Sequence, residues 1–181
     1  MKESMAEPLP DVLIQLFEND VEPDSFLTAL MPALGAMLPC DRCFLYLREP
    51  TTGQGKITHC WARDGREADW LGADWLEDPT APQDPLMTIA LRTPLAVFVD
   101  DIETAGSDVV DRAYEREKFQ HRALVHAPIY LNDTLIGILE CSVFEQPRVW
   151  TEGDRQLIAH LQTKLAAPTQ AYIHHLNLPS P

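Results

Sequence analysis

Residues 122–144 read RALVHAPIYLNDTLIGILECSVF, and most of the architecture follows from them. Arg122 to Leu131 and Thr134 to Phe144 are two strands, joined by Asn132-Asp133, a pair suited to a tight two-residue turn. Both strands are apolar at nearly every position, which predicts a sheet covered on both faces. Glu140 interrupts the second strand among Ile138, Leu139 and Cys141. An ionised carboxylate buried there is costly unless paired. It is read either as a polar contact for a ligand or a buried acid with a raised pKa, or as a carboxylate bridged to Arg122, His121 or a helix arginine. His121 and His126 are an odd distance apart, so strand alternation sends them to opposite faces and at most one to a pocket. On that pattern His121 shares its face with Ala123 and Val125.

Working outward, Leu9 to Asp20 reads as a short amphipathic helix with Asp11 as its cap. A second helix is expected from Ser25 to Leu38, with Leu27, Leu30, Met31, Leu34 and Leu38 at helical spacing, bent at Pro32 and ended by Pro39. Cys43 to Arg48 and Lys56 to Ala62 are strands around a turn at Pro50-Thr51-Thr52-Gly53. The long irregular stretch Arg63 to Pro85 carries Trp70 and Trp75, and a loop of that length in a compact domain is usually functional or disordered. Pro85 to Arg92 is a short helix and Leu95 to Val99 a strand. Ser107 to Phe119 is read as a charged helix burying Val109, Val110, Ala113 and Tyr114. Thr151 caps the last helix with Asp154 at the box position, Leu157, Ile158, Leu161 and Leu165 form its stripe, and Pro168 should kink it. His174 and His175 fall in a fraying tail. The segmentation is residues 1–20, 21–175 and 176–181.

The chain has 181 residues, with 28 acidic side chains against 14 Lys plus Arg, a net charge of −14. Such a surface repels phosphate backbones and anionic headgroups, so neither nucleic acid nor membrane is an expected partner. No apolar stretch approaches the roughly 20 residues of a bilayer span. The first residues, MKESMAEPLPDV, lack the pattern of a secretory signal, so a cytoplasmic protein is expected. Cys40 and Cys43 form a CxxC without a second pair at zinc spacing, and it leads into a strand rather than a helix. The four cysteines, Cys40, Cys43, Cys60 and Cys141, are read as reduced and structural. There is no nucleophile elbow, P-loop, HExxH or GxGxxG.

The strings CDRCFLYL at 40–47, DPL at 84–86 with ALRT at 90–93, VDDI at 99–102, API at 127–129, LIGIL at 135–139 and QPRVWT at 146–151 resemble, in order and spacing, a GAF domain. The last resembles the GAF domains of cyanobacteriochromes and their non-photoactive relatives. The resemblance covers about residues 20 to 175. It implies an α+β fold: a central antiparallel sheet of five or six strands, terminal helices on one face, and a helix and loop layer holding a small ligand on the other.

The family's chemistry transfers only in part. The Cys-His pair that attaches bilin falls at Asp111 and Arg112, and no cysteine lies between Cys60 and Cys141, so a covalent bilin is not expected. The cyclic-nucleotide pattern is broken: Asn132-Asp133 lacks its Lys and Trp150-x3-Asp154-Arg155 lacks its Glu. The methionine-(R)-sulfoxide reductase relatives need a pocket-loop thiol, and the 63–85 loop has none. The resemblance therefore implies a non-enzymatic regulatory module that senses a small ligand. No output domain is read in the sequence, so its signal would pass through a homodimer or a protein partner at the terminal helices. Pro168 argues against a long coiled coil. The ligand-binding candidates are Trp75, Phe98, Asp100, Tyr114, Phe119, His121, Glu140 and Ser142. A pure interaction domain with a closed pocket is the alternative; a sulfoxide reductase or a non-covalent tetrapyrrole binder is a further one.

Overall fold

The computed structural model describes residues 9–19, 21–72, 74 and 84–177. Its centre is an antiparallel sheet of five strands, β1 (Arg42–Arg48), β2 (Gly55–Ala62), β3 (Val97–Val99), β4 (Ala123–Leu131) and β5 (Thr134–Val143), in the order β2-β1-β5-β4-β3. The β4–β5 hairpin turns at Asn132 and Asp133, with φ 48° and 61°. Both residues are left-handed, as the expected tight turn requires. Neither strand lies at an edge of the sheet, which is why both could be apolar throughout.

One face of the sheet carries α1 (Asp11–Glu18), α2 (Pro23–Met37) and α5 (Glu152–Asn177). Leu27, Leu30, Leu34, Ile158, Leu161 and Leu165 from these helices meet Leu45, Val125, Ala127, Leu139 and Cys141 in the main core. Thr151 and Asp154 close a reciprocal capping box at the start of α5, at 2.9 and 3.1 Å. The opposite face carries α3 (Pro85–Ala90), with Met87 and Ala90 against Leu135 and Ile138. The hydrophobic period places every one of these elements, and only local chemistry differs.

Four such differences matter. Pro10, not Asp11, occupies the α1 cap, and Asp11 lies in the first turn. Pro32 sits inside a continuous α2 and Pro168 inside an α5 that runs on to Asn177, so His174 and His175 are helical. β3 begins at Val97, leaving Leu95 71% exposed. The expected Ser107–Phe119 helix is instead a turn, one short helix α4 (Arg112–Tyr114) capped by Asp111, and a π turn (Glu115–Phe119) ended by left-handed Gln120. The extra residue in a π turn rotates the segment, so Glu115 is buried and Ala113 exposed.

Gly35 of α2 lies where any Cβ would overlap the Trp61 ring. Gly35→Ala is expected to cost about 1–3 kcal/mol by overpacking. Denaturant unfolding measures it, and an unchanged midpoint would count against this contact.

Candidate functional site

Strand alternation presents Arg42, Phe44 and Tyr46 of β1 on the face away from the terminal helices. Register sets Phe44 and His126 on either side of Glu140, Arg42 opposite Ser142, and Tyr46 opposite Ile138. A cavity of about 500 Å3 lies over this row. Its apolar walls among the described residues are Phe44, Tyr46, Ile57, Trp70, Met87, Tyr114, Phe119 and Ile138, with Gly55 and Gly72. Its polar lining is Lys56, Asp69, Asp74, Asp84, Glu115, Lys118, His126 and Glu140. Five acids against two lysines and a histidine make the cavity a poor host for an anion.

The floor is a buried ionic network. Arg42 has no exposed surface, and its Nη2 donates to Phe119 O at 3.1 Å and meets His121 Nε2 at 2.6 Å. A guanidinium only donates, so His121 Nε2 accepts and Nδ1–H donates to Glu115 Oε2 at 2.5 Å. Glu140 Oε2 accepts from His126 Nδ1 at 2.7 Å. Glu140 Oε1 lies 3.2 Å from His121 Nε2, but that nitrogen's lone pair is already engaged by Arg42. Glu140 Oε1, His126 Nε2, Ser142 Oγ and two Arg42 nitrogens consequently have no hydrogen-bond partner. Such orphaned buried polar atoms are rare in folded proteins. The Phe119 ring stacks on His121 at 5.2 Å and on Trp70 at 6.0 Å, and the Arg42 guanidinium lies 3.8 Å from the Trp70 ring centre.

These contacts tune the acids and bases. Burial disfavours the charged Glu140, but the hydrogen bond from His126 and the Arg42 charge outweigh it and hold the carboxyl below its usual value, the reverse of the raised value expected for a buried acid. Burial also opposes charge on His126, but the Glu140 carboxylate, with Asp84 and Glu115, raises its pKa. Asp84, which caps α3 through Leu86 N and Met87 N at 3.0 and 3.3 Å, is pushed up to about 6 by burial.

Of the expected ligand residues, Tyr114, Phe119 and Glu140 line the cavity together. His121 lies beneath Phe119 and holds the network without lining the cavity. Ser142 is buried one step along β5, outside the lining. Phe98 points the other way: its cross-strand partner is Val125 of the main core, and it packs on Trp150 and under Arg155. Asp100 is an exposed brace for the loop before α5, accepting from Trp150 N at 3.2 Å. Trp75 lies outside the described residues. The two histidines do converge on Glu140, contrary to the alternation argument. His121 precedes β4, after the left-handed Gln120, so the two-residue period does not reach it. Arg122, one candidate partner for Glu140, pairs instead with Asp101 at 2.7 and 2.9 Å. Arg42, Phe44, Asp84, Glu115 and His126 were absent from the expected set. Arg42 and Phe44 share the two-residue period of β1, a usable signal, whereas nothing local marks the π turn that buries Glu115.

The four cysteines are all free. Burial pushes the Cys60 thiol up to about 12. Cys40, Cys43 and Cys141 cluster without exposure. Cys40 is held down at about 4 by hydrogen bonds with Cys141 and Cys43, against its own burial.

Two outcomes test the network. Glu140→Leu removes the carboxylate that His126 and Arg42 face, and a loss of about 3–5 kcal/mol is expected in chemical denaturation. Asp84 has its pKa raised on folding, so its contribution is full below about pH 4 and is lost as pH rises through about 6. Asp84→Asn keeps the cap. It should leave stability unchanged near pH 4 and increase it at pH 7; an equal offset at both would contradict the assignment.

The GAF domain family matches residues 22–167. No curated protein matches the chain. Among solved structures, the GAF domain of an Acinetobacter phosphoenolpyruvate-protein phosphotransferase is 14% identical, with TM-score 0.69 over 93% of this chain and 94% of its own. That of the Coxiella burnetii phosphoenolpyruvate-protein phosphotransferase is 16% identical, with TM-score 0.70 over 93% and 94%. The phycocyanobilin-bound GAF domain from a cyanobacterial phytochrome is 22% identical, with TM-score 0.71 over 93% and 99%. At these identities the likeness is one of fold. With the family match spanning most of its length, the chain belongs to the GAF domain family.

Proposed function

We propose that this GAF domain is a non-catalytic sensor whose ligand is a flat, largely apolar molecule bearing N–H donors, held between the sheet and the Trp70–Phe119 wall. The observation that carries the reading is the open cavity of about 500 Å3 whose lining joins stacking rings to the carboxylates of Asp69, Asp74, Asp84, Glu115 and Glu140. N–H donors suit those carboxylates, and the acidic lining favours a neutral or cationic ligand over a phosphate-bearing one. Phe44, Tyr114, Phe119 and Trp70 give the body of the ligand stacking surfaces.

A non-catalytic role is favoured by the thiols. Nucleophilic cysteines need accessible thiolates. Cys60, the cysteine on the cavity side of β2, is the one whose thiol burial pushes up to about 12. Cys43 and Cys141 are fully buried and also raised, and Cys40, though held down at about 4, has no exposed surface from which to attack a substrate. Ligand occupancy would shift the population of Trp70 and Phe119 arrangements, and the terminal helices would pass that change to a second copy or a protein partner.

Native mass spectrometry of the full chain isolated from its own host, with an absorption spectrum, tests this. A non-covalent small-molecule mass is expected, released on denaturation and retained about tenfold less well by Trp70→Ala, the loss of one good stacking contact. A chain that carries no small molecule, or Trp70→Ala that retains it unchanged, would overturn the reading.

A further inference from the structure

Three of the four cysteines meet on the other side of the sheet from the cavity, in the main core. Cys43 and Cys141 are cross-strand partners with sulfurs 3.3 Å apart. Cys40, just beyond α2, brings its sulfur to 3.2 Å from that of Cys43. All three sulfurs lie within 4.8 Å of one another, and none of the three residues has exposed surface. The Arg148 guanidinium, paired on its other side with Asp154 at 3.1 Å, is anchored on the carbonyls of Leu38 and Pro39, immediately before Cys40, and brings positive charge near the cluster.

We propose that Cys40, Cys43 and Cys141 form a site for one Cu(I) ion held by three sulfur ligands. An all-sulfur donor set selects soft ions: Cu(I), zinc, or iron in a sulfide cluster. Structural zinc and iron–sulfur clusters take four protein ligands. Among the described residues this group offers three, and its complete burial leaves no place for water as a fourth. Cu(I) is satisfied by three. With metal–sulfur bonds of about 2.3 Å, sulfurs around a trigonal ion stand about 4 Å apart. The two close pairs need to spread by less than about 1 Å to reach that spacing. A monovalent ion on thiolates leaves net negative charge in the core, which Arg148 offsets. Loading is a ligand exchange without electron transfer: Cu(I) replaces thiol protons, which leave to solvent.

The reduced full-length chain is titrated anaerobically with Cu(I) supplied as its acetonitrile complex, against the chromogenic chelator bicinchoninate, with native mass spectrometry as a second readout. One Cu(I) per chain is expected, with proton release and a raised melting temperature. Cys60→Ser should behave as the parent does. Cys40→Ser and Cys141→Ser should each lose more than about 100-fold in affinity while keeping the parent's circular dichroism. Three results would overturn the site. One is no retained copper in the reduced parent. Another is equal retention by Cys40→Ser. The third is a two-dalton loss without bound metal, which would mark Cys40 and Cys43 as a dithiol pair instead.

Discussion

Burying the Glu140 carboxylate in the middle of a central strand imposes a constraint on everything around it. A lone charge there would unfold the domain or stay protonated. Compensation comes from one neighbour in the sheet and from groups outside it. His126 is the cross-strand partner on β4 and donates to one oxygen. Arg42 and His121 approach the other side, and they in turn require Glu115, which the π turn delivers. The irregular backbone from Arg112 to Gln120 thus has a purpose: a regular helix would have presented a different face and left His121 Nδ1 without an acceptor.

The sheet separates two environments. The face toward α2 and α5 is closed by aliphatic packing and carries Cys43, Cys141, Val125 and Ala127 at every second position. The other face carries Phe44, His126 and Glu140 at the intervening positions and is roofed only in part, by α3, Trp70 and Phe119. Successive residues of β5 therefore sit in different chemistry: Glu140 in the ionic floor, Cys141 in the thiol cluster. Burial of residues 123–129 and 135–142 on both sides of the sheet makes this division sharp.

Much of this was legible in the sequence. The hairpin at Asn132-Asp133, the two-sided burial of β4 and β5 and the capping box at Thr151 depend on spacing and turn chemistry within a few residues. The importance of Glu140 was legible for the same reason, as a charge among apolar neighbours. Its partners were not. His121 follows a left-handed residue, where strand alternation gives the wrong face. Glu115 is buried by a π turn that hydrophobic spacing does not announce. Phe98 and Asp100 are among the expected ligand residues, but pairing with Val125 turns Phe98 to the helix layer and the Trp150 amide holds Asp100 at the loop before α5. Asp84 was read only as part of a family string, though its position before Pro85 suits a helix cap.

The central claim is that the Glu140 carboxylate is ionised beneath the cavity and holds His126. Titration of the His126 imidazole by 15N NMR, in the parent and in Glu140→Gln, addresses it most directly. The account predicts a midpoint above the ordinary histidine value of about 6.5 in the parent, falling below it in the variant, where burial acts without the neighbouring charge. A parent midpoint below 6.5 that does not respond to the substitution would contradict it.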